Sequence, residues 1–324
     1  MVFSLVDLHR PVMEEEVIHY LFPRSSGVYV DATLGDGGHA EAILNKLDNK
    51  GHLIGIDWDD EALKRAEERL FRFRTKVTLI HADYSNLEEV LIKTGIPAVD
   101  GILIDLGAST LQLMDAKRGF SLHQEGELDM RMDRRRSLTA KEVVNSYTAA
   151  ELADIFFNYG EERWSKRIAA AIISEREKSG PITDSKKLAE VVKEAIPARF
   201  RRRGGHPSRR VFQALRLEVN SELENISTVL PQAVRCLAAR GRICVIAYHS
   251  LEDRLVKKYF REQARSCTCP PQRPCICSGQ AELRVITRKA IKPERHEVEV
   301  NPRARSARLR AAEKIKKTEQ KEGE

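Results

Sequence analysis

Long apolar runs are missing from this chain. No stretch approaches the roughly 18 apolar residues that a membrane-spanning helix needs. The opening "MVFSLVDLHRPVMEEE" also lacks the apolar core of a secretory signal. The expectation is a cytosolic protein with no membrane partner. No internal repeat is present, which excludes a repeat architecture. Cysteine is scarce, six in 324 residues, and a cytosolic chain has little use for disulfides. Cys236 and Cys244 sit in apolar helical and strand contexts. The other four, Cys267, Cys269, Cys275 and Cys277, crowd into "CTCPPQRPCICSG" (267–279) as C-x-C-x5-C-x-C. Four thiolates so close could bind zinc tetrahedrally. Structural zinc sites more often use C-x2-C, however, and three prolines stiffen this loop. A zinc site and a reduced, metal-free loop both stay open, and no metal ligand is assigned.

Acidic residues are absent from one further segment. "ARFRRRGGHPSRR" (198–210) holds six arginines and no Asp or Glu. From Arg284 to Glu324 there are 13 Lys/Arg against 7 Asp/Glu, so that stretch carries +6 of the net +7. Outside these two segments the chain is net acidic. Two concentrated basic segments on an acidic body point to a polyanionic partner, nucleic acid first and anionic lipid second. The bland alternative is solvated surface plus a disordered tail.

With 42% hydrophobic and 32% charged residues, the composition is that of a soluble, highly charged globular protein large enough for a well-buried core. The first third alternates short apolar strands with amphipathic helices: "GVYVDAT" (27–33), "GHLIGID" (51–57), "KVTLIHAD" (76–83) and "VDGILIDLG" (99–107) read as strands. Asp59 or Asp60 caps the helix "DEALKRAEERL" (60–70). This alternation predicts βαβ units and a parallel sheet covered on both faces. From about Gln112 to Arg210 no strand pattern occurs, and capped helices follow one another. Two helices then cover 211–239. A buried strand returns at "GRICVIAYHS" (241–250), and two short strands are expected around 283–287 and 297–300. The organisation expected is α/β, a doubly wound, mostly parallel sheet interrupted by an all-helical domain. Its parts are 1–111, the helical insert 112–210, a second sheet part 211–300 with a cysteine-rich loop 265–280, and a basic, partly disordered tail 301–324.

"VDATLGDGGHAEAIL" (30–44) is a strand, a glycine turn and a helix. Gly35, Gly37 and Ala40 fit G-x-G-x-x-A, a weak dinucleotide fingerprint, and Asp57 ends the next strand where a carboxylate can hold a ribose. Both NAD and S-adenosylmethionine suit that much. The loop charge separates them, because Asp31 and Asp36 would repel a pyrophosphate but attract a sulfonium and an ammonium. Asp83 and Tyr84, ending the third strand, fall where an adenine edge and face would be held. The residues favour S-adenosylmethionine over a dinucleotide, with a ligand-free glycine turn as the remaining reading.

The block "DGILIDLGASTLQLMDAKRGFSLHQEGELDMRMD" (100–133) joins "TLGDGGHAEAIL", "GIDWDDEAL", "ALRLEVNSELE" (214–224), "AYHSLEDRLVKKYF" (247–260) and "NPRARSARLRAAEK" (301–314). Together, over nearly the whole chain, these resemble the bacterial 16S rRNA (cytosine N4)-methyltransferases, class I S-adenosyl-L-methionine enzymes with a Rossmann-like sheet and a helical insert. The family pattern has serine and proline where this chain has Thr110 and Leu111, which puts the shape of that loop in question and leaves Asp105, Gly107, Ser109 and Gln112 in place. The resemblance implies methylation of the exocyclic amine of a cytidine in the decoding region of 16S rRNA, with the small ribosomal subunit as partner and DNA not expected. It also implies cofactor contacts at Gly37, Gly38, His39, Asp57, Tyr84, Asp105 and Gln112. His39 has the alternative reading of a polar first-turn helix residue.

A cytosine amine is a poor nucleophile because its lone pair is delocalised into the ring. It must be held in line with the methyl donor while its N–H groups find an acceptor. Asp105, ending the fourth strand before a glycine turn, is the candidate, either for that task or for the amino-acid end of the cofactor. A strong base is unnecessary, since the methylated amine becomes acidic once charged. His249 and Asp253 are further candidates to face substrate, with a structural histidine as the blander reading. Asp129, Arg131 and Asp133 are expected to form a salt-bridged hinge into the insert. The target base must leave its stack, and the arginine run and basic tail would hold the rRNA backbone. Two rivals are a methyltransferase acting on DNA or protein amines and an RNA-binding relic of the fold; intact Asp57, Asp105 and Gln112 argue against a relic.

Overall fold

The computed structural model describes residues 11–122, 125–201, 206–267 and 280–316. The chain divides into two compact units, one running to Gly107 and resuming at Leu223, the other spanning Ala108–Glu222. Along the first unit run α1 (Glu14–Leu21), β1 (Val28–Asp31), α2 (Gly38–Leu44), β2 (His52–Asp57), α3 (Asp60–Leu70), β3 (Val77–His81), α4 (Leu87–Lys93) and β4 (Val99–Asp105). Asp59 caps α3, its carboxylate accepting from Glu61 N at 3.0 Å. Ala62, Ala66 and Leu70, four residues apart, form the stripe that α3 buries.

The helical unit holds α5 (Thr110–Met114), α6 (Ala140–Ser146), α7 (Ala149–Asn158), α8 (Ser165–Ser179), α9 (Ser185–Ala195) and α10 (Arg209–Asn220). Capping boxes open three of them, at Ser109/Gln112, Thr139/Glu142 and Thr148/Glu151. The chain then continues through α11 (Glu222–Cys236), β5 (Leu237–Ala247), α12 (Ser250–Gln263), β6 (Leu283–Val285), α13 (Arg295–Val300) and β7 (Arg308–Lys314). The unit boundaries fall at 107/108 and 222/223, so α10 packs with the helices, whereas the sequence reading drew the insert as 112–210.

The sheet order is β3-β2-β1-β4-β5-β7-β6, with β1 to β5 parallel and β7 antiparallel to both neighbours. This is a doubly wound, mostly parallel α/β fold. Successive strand residues serve opposite faces: Ile102, Ile104, Ile243 and Val245 pack against α4, α11 and α12, while Leu103, Cys244 and Ile246 pack against α1, α2 and α3. The order reverses between β1 and β4, so a crevice opens at the carboxyl ends of those two strands, where such sheets bind ligands.

Two expectations near the C-terminus need correction. Residues 297–300 belong to α13, and the last strand is Arg308–Lys314, inside the segment expected to be a tail. The arginines concealed it. Leu309, Ala311 and Ala312 are fully buried, and buried Arg310 donates to Asp253 at 2.6 Å, with Arg308 also 3.3 Å from that carboxylate. Burial pushes Asp253 up, and the two guanidiniums pull it down further, to a net value below the usual carboxylate range. Its contribution is therefore complete at neutral pH and is lost as pH falls through the depressed value. Asp253→Asn leaves Arg310 buried without its counter-charge and is expected to cost about 3–5 kcal/mol, read as a drop in denaturant midpoint at pH 7 that shrinks in acid.

Candidate active site

At the carboxyl ends of β1, β2 and β4 stand Asp31, Asp57 and Asp105. After Asp31 the chain turns through Gly35 and Gly37, both at positive φ. Gly37 adopts φ 79° as it enters α2, and a Cβ there would stand 3.3 Å from Leu70. A side chain would strain both the backbone and that packing. Asp57 shapes the turn from outside, its two oxygens accepting from Gly35 N at 2.7 Å and Asp59 N at 2.9 Å. Asp105 is tied on two sides. Its backbone N donates to Thr33 Oγ1 at 2.6 Å, and its Oδ1 accepts from the Tyr248 hydroxyl at 2.9 Å. His39 Nε2 lies 3.6 Å from Asp105 Oδ2, an electrostatic contact just beyond hydrogen-bond length.

Charge is the unusual property of this cluster. Asp31 is 1% exposed; Oδ1 accepts from Thr33 N at 3.2 Å, and Oδ2 is buried with no partner among the described residues. Burial, opposed by His39 and aided by Asp105 and Asp57, pushes Asp31 up to about 7. Burial likewise pushes Asp57 up to about 6. For His39, burial acts downward, but Asp105 and Asp31 outweigh it, and the net shift is upward. Among the described residues neither His39 ring nitrogen has a hydrogen-bond partner. One loop acid falls outside this account: Asp36, read from the sequence as part of the negative loop, is neutralised by Arg65 Nε at 2.7 Å. The negative character comes from the three strand-end carboxylates instead.

A family profile described as the MraW methylase family matches residues 7–315. The chain belongs to that family. Similar proteins named ribosomal RNA small subunit methyltransferase H include one from Halothermothrix orenii, 48% identical over 308 residues, 95% of this chain and 98% of that protein. Others are from Heliobacterium mobile, 47% identical over 309 residues (95% and 99%), and Clostridioides difficile, 47% identical over 308 residues (95% and 99%).

Within this MraW-family chain the remaining candidates separate by role. Asp83 caps the turn at Tyr84–Asn86 by accepting from Ser85 N at 2.9 Å, and its other oxygen is 3.3 Å from Asn225 Nδ2. Tyr84 is buried, its ring 5.5 Å from that of half-buried Trp58. Gly38 begins α2, where a Cβ would stand 3.3 Å from Pro11. Gln112 lies in the helical unit; it is buried, and its Oε1 accepts from Ser109 N at 3.0 Å while its N donates to Ser109 Oγ at 3.2 Å. This box starts the helix that Thr110 and Leu111 open, so their departure from the family letters leaves the cap intact. His249 is the cap of α12, and Asp253 is the counter-ion of Arg308 and Arg310.

Arg131 pairs bidentately with Asp129, and Asp133 pairs with Arg135 instead. A cleft of about 510 Å³ in the helical unit is lined by Lys117, Glu127, Asp129 and Arg131 among others. Arg201, read as an RNA contact, donates to the carbonyls of Ile196 at 2.8 Å and Glu194 at 3.0 Å, closing the end of α9. Arg202 and Arg203 lie outside the described residues, as do Cys269, Cys275 and Cys277, while Cys267 is exposed. Among the described residues no group of three or more His, Cys, Asp or Glu could hold a metal ion, and no helix is long and apolar enough to cross a membrane. Sequence reasoning missed Thr33 and Tyr248, the two partners of Asp105. The signal was position alone: each follows a strand end next to β4.

Proposed function

We propose that this protein is a cytoplasmic S-adenosyl-L-methionine-dependent methyltransferase that methylates the N4 amine of a cytidine in the decoding region of 16S rRNA. The observation that carries the cofactor is Asp31 Oδ2, buried with no partner among the described residues, beside Asp57, burial raising both carboxyls above their ordinary range. A cation would offset the cost of ionising these buried acids, whereas a pyrophosphate would add to it. The glycine turn fits the same ligand. Gly37, Gly38, His39, Asp57, Tyr84 and Asp105 would hold it. When bound, S-adenosyl-L-methionine supplies an electrophilic methyl group on a cationic sulfur. Asp57, fixed by two amides, would take the ribose hydroxyls, and Tyr84 with Trp58 would take an adenine face.

Asp105 is the candidate catalytic residue. The Tyr248 hydroxyl donates to Oδ1 and holds the carboxylate in one orientation, Thr33 anchors the backbone of the same residue, and Oδ2, which faces His39, would accept from a cytosine N–H. Burial and the Asp105 charge push the Tyr248 hydroxyl well above its usual value, so it stays a donor throughout the physiological range. The relatives' names support small-subunit rRNA as substrate, and the helical unit with its arginine run is our candidate for recognising it. The deciding experiment is incubation with labelled S-adenosyl-L-methionine and small ribosomal subunits, followed by nucleoside analysis. N4-methylcytidine is expected; label in another nucleoside, in duplex DNA or in ribosomal protein would overturn the reading.

A further inference from the structure

The helical unit carries a second group of residues that the methyl-transfer site does not use. Trp164, just before α8, and Phe200, after α9, bring their rings to 5.4 Å between centroids at a 44° tilt, and both are half-buried. Exposed Arg163 stands 5.1 Å from the Trp164 ring centre and 5.3 Å from that of Phe200, and exposed Arg199 stands 4.8 Å from Phe200. Two rings with two guanidiniums over them form a platform of alternating flat faces and positive charge.

The platform is held from behind. Trp164 N donates to the buried Glu162 carboxylate at 2.9 Å. Arg201, through its two carbonyl bonds at the end of α9, fixes the turn that carries Phe200. Arg210 Nη1 donates to Glu161 O at 3.0 Å, tying the start of α10 to the same turn. In the described stretches beside the rings in sequence, Arg163, Lys166, Arg167, Arg199, Arg209 and Arg210 are exposed, against two exposed acids, Glu161 and Glu194. Rigid, half-buried rings within an excess of cations match the needs of a single strand, whose bases stack while its phosphates are neutralised. A lipid surface would instead be met by protruding apolar side chains.

We infer that Trp164 and Phe200, with Arg163 and Arg199, form a stacking platform for unpaired bases of the RNA substrate, separate from the methyl-transfer cluster. This rests on the rRNA reading above. The chain has two tryptophans, so Trp58→Phe leaves Trp164 as the sole indole reporter. In that variant, single-stranded oligocytidylate of about ten nucleotides and small ribosomal subunits are expected to quench the emission, whereas heparin and phosphatidylglycerol vesicles leave it unchanged. Quenching by heparin to the same degree, a response to vesicles alone, or no response would each overturn the platform.

Trp164→Leu is expected to weaken oligocytidylate binding about tenfold with an unchanged salt slope. Arg163→Gln and Arg199→Gln, exposed and safe for folding, should each reduce that slope by about 0.7. Wild-type slopes in both arginine variants would sink the proposal whatever the fate of Trp164→Leu. Failure of the rRNA reading looks different: stacking on oligocytidylate persists while subunits gain no N4-methylcytidine. Failure of the platform alone leaves Trp164→Leu methylating subunits with an unchanged KM.

Discussion

Asp31→Asn is expected to make the protein more stable at pH 8 and a weaker binder of S-adenosyl-L-methionine. Asp31 is buried at the end of β1 and raised to about 7 from an ordinary 3.8. Between those values the folded chain holds a proton that the unfolded chain has released, so stability falls as pH rises through the window. Above pH 7 the full penalty of a charged, half-satisfied carboxylate is present. Asparagine keeps an oxygen for Thr33 N and carries no charge. The gain is on the order of 2–4 kcal/mol above pH 7, or a Tm increase of about 4–10 °C for a chain of this size, shrinking towards zero near pH 4.

The same charge should attract a cationic ligand. In the native protein, cofactor affinity is expected to rise as pH increases from about 5.5 to 8, because Asp31 and Asp57 must ionise and His39 must release its proton before the cluster can accept a positive group. Titration calorimetry in buffers of different ionisation enthalpy should show protons released on binding at pH 6.5. Asp31→Asn should release fewer and bind about 10- to 100-fold more weakly. A variant less stable than wild type at pH 8, or one that binds as tightly, would sink this view of the pocket.

Asp105→Asn is expected to lower kcat for methylation of small subunits by about 10²–10³ while leaving their KM nearly unchanged. The substitution preserves shape at the end of β4, and the backbone bond to Thr33 Oγ1 does not involve the side chain. What disappears is the anionic acceptor. Tyr248→Phe frees Oδ1 and should cost about tenfold in kcat, since the carboxylate keeps its charge but loses the bond that orients it. A raised KM for S-adenosyl-L-methionine with kcat intact would show that Asp105 serves only the amino-acid end of the cofactor. The two measurements therefore separate the two roles that the sequence left open.

Much of this was legible before any coordinates. Alternating strands and helices specified the doubly wound sheet, because a run such as "GILID" buried on both faces has few other homes. Asp59, Thr139 and Thr148 announced their helices through local capping chemistry that needs no distant partner. The glycine turn and the acids at 31, 57 and 105 were visible as strand-end residues.

Residues whose meaning depends on a distant partner were read less well. Asp36 looked like part of a negative loop until Arg65, 29 residues on, neutralised it. Arg201 was read only as an RNA contact, and nothing local shows that its guanidinium closes α9. "RLRAAEK" looked like a basic tail because nothing local shows that Asp253, 57 residues away, receives Arg310.

The sequence by itself determined the order of elements as far as β5, several helix caps and the acidic character of the crevice, since each follows from spacing along one segment. Only tertiary structure decided which charges are paired, which carboxylate stays orphaned and protonated near neutrality, and that Tyr248 and Thr33 orient Asp105. Coulomb and desolvation energies depend on distance and burial in three dimensions, and neither quantity is written in the local order of residues.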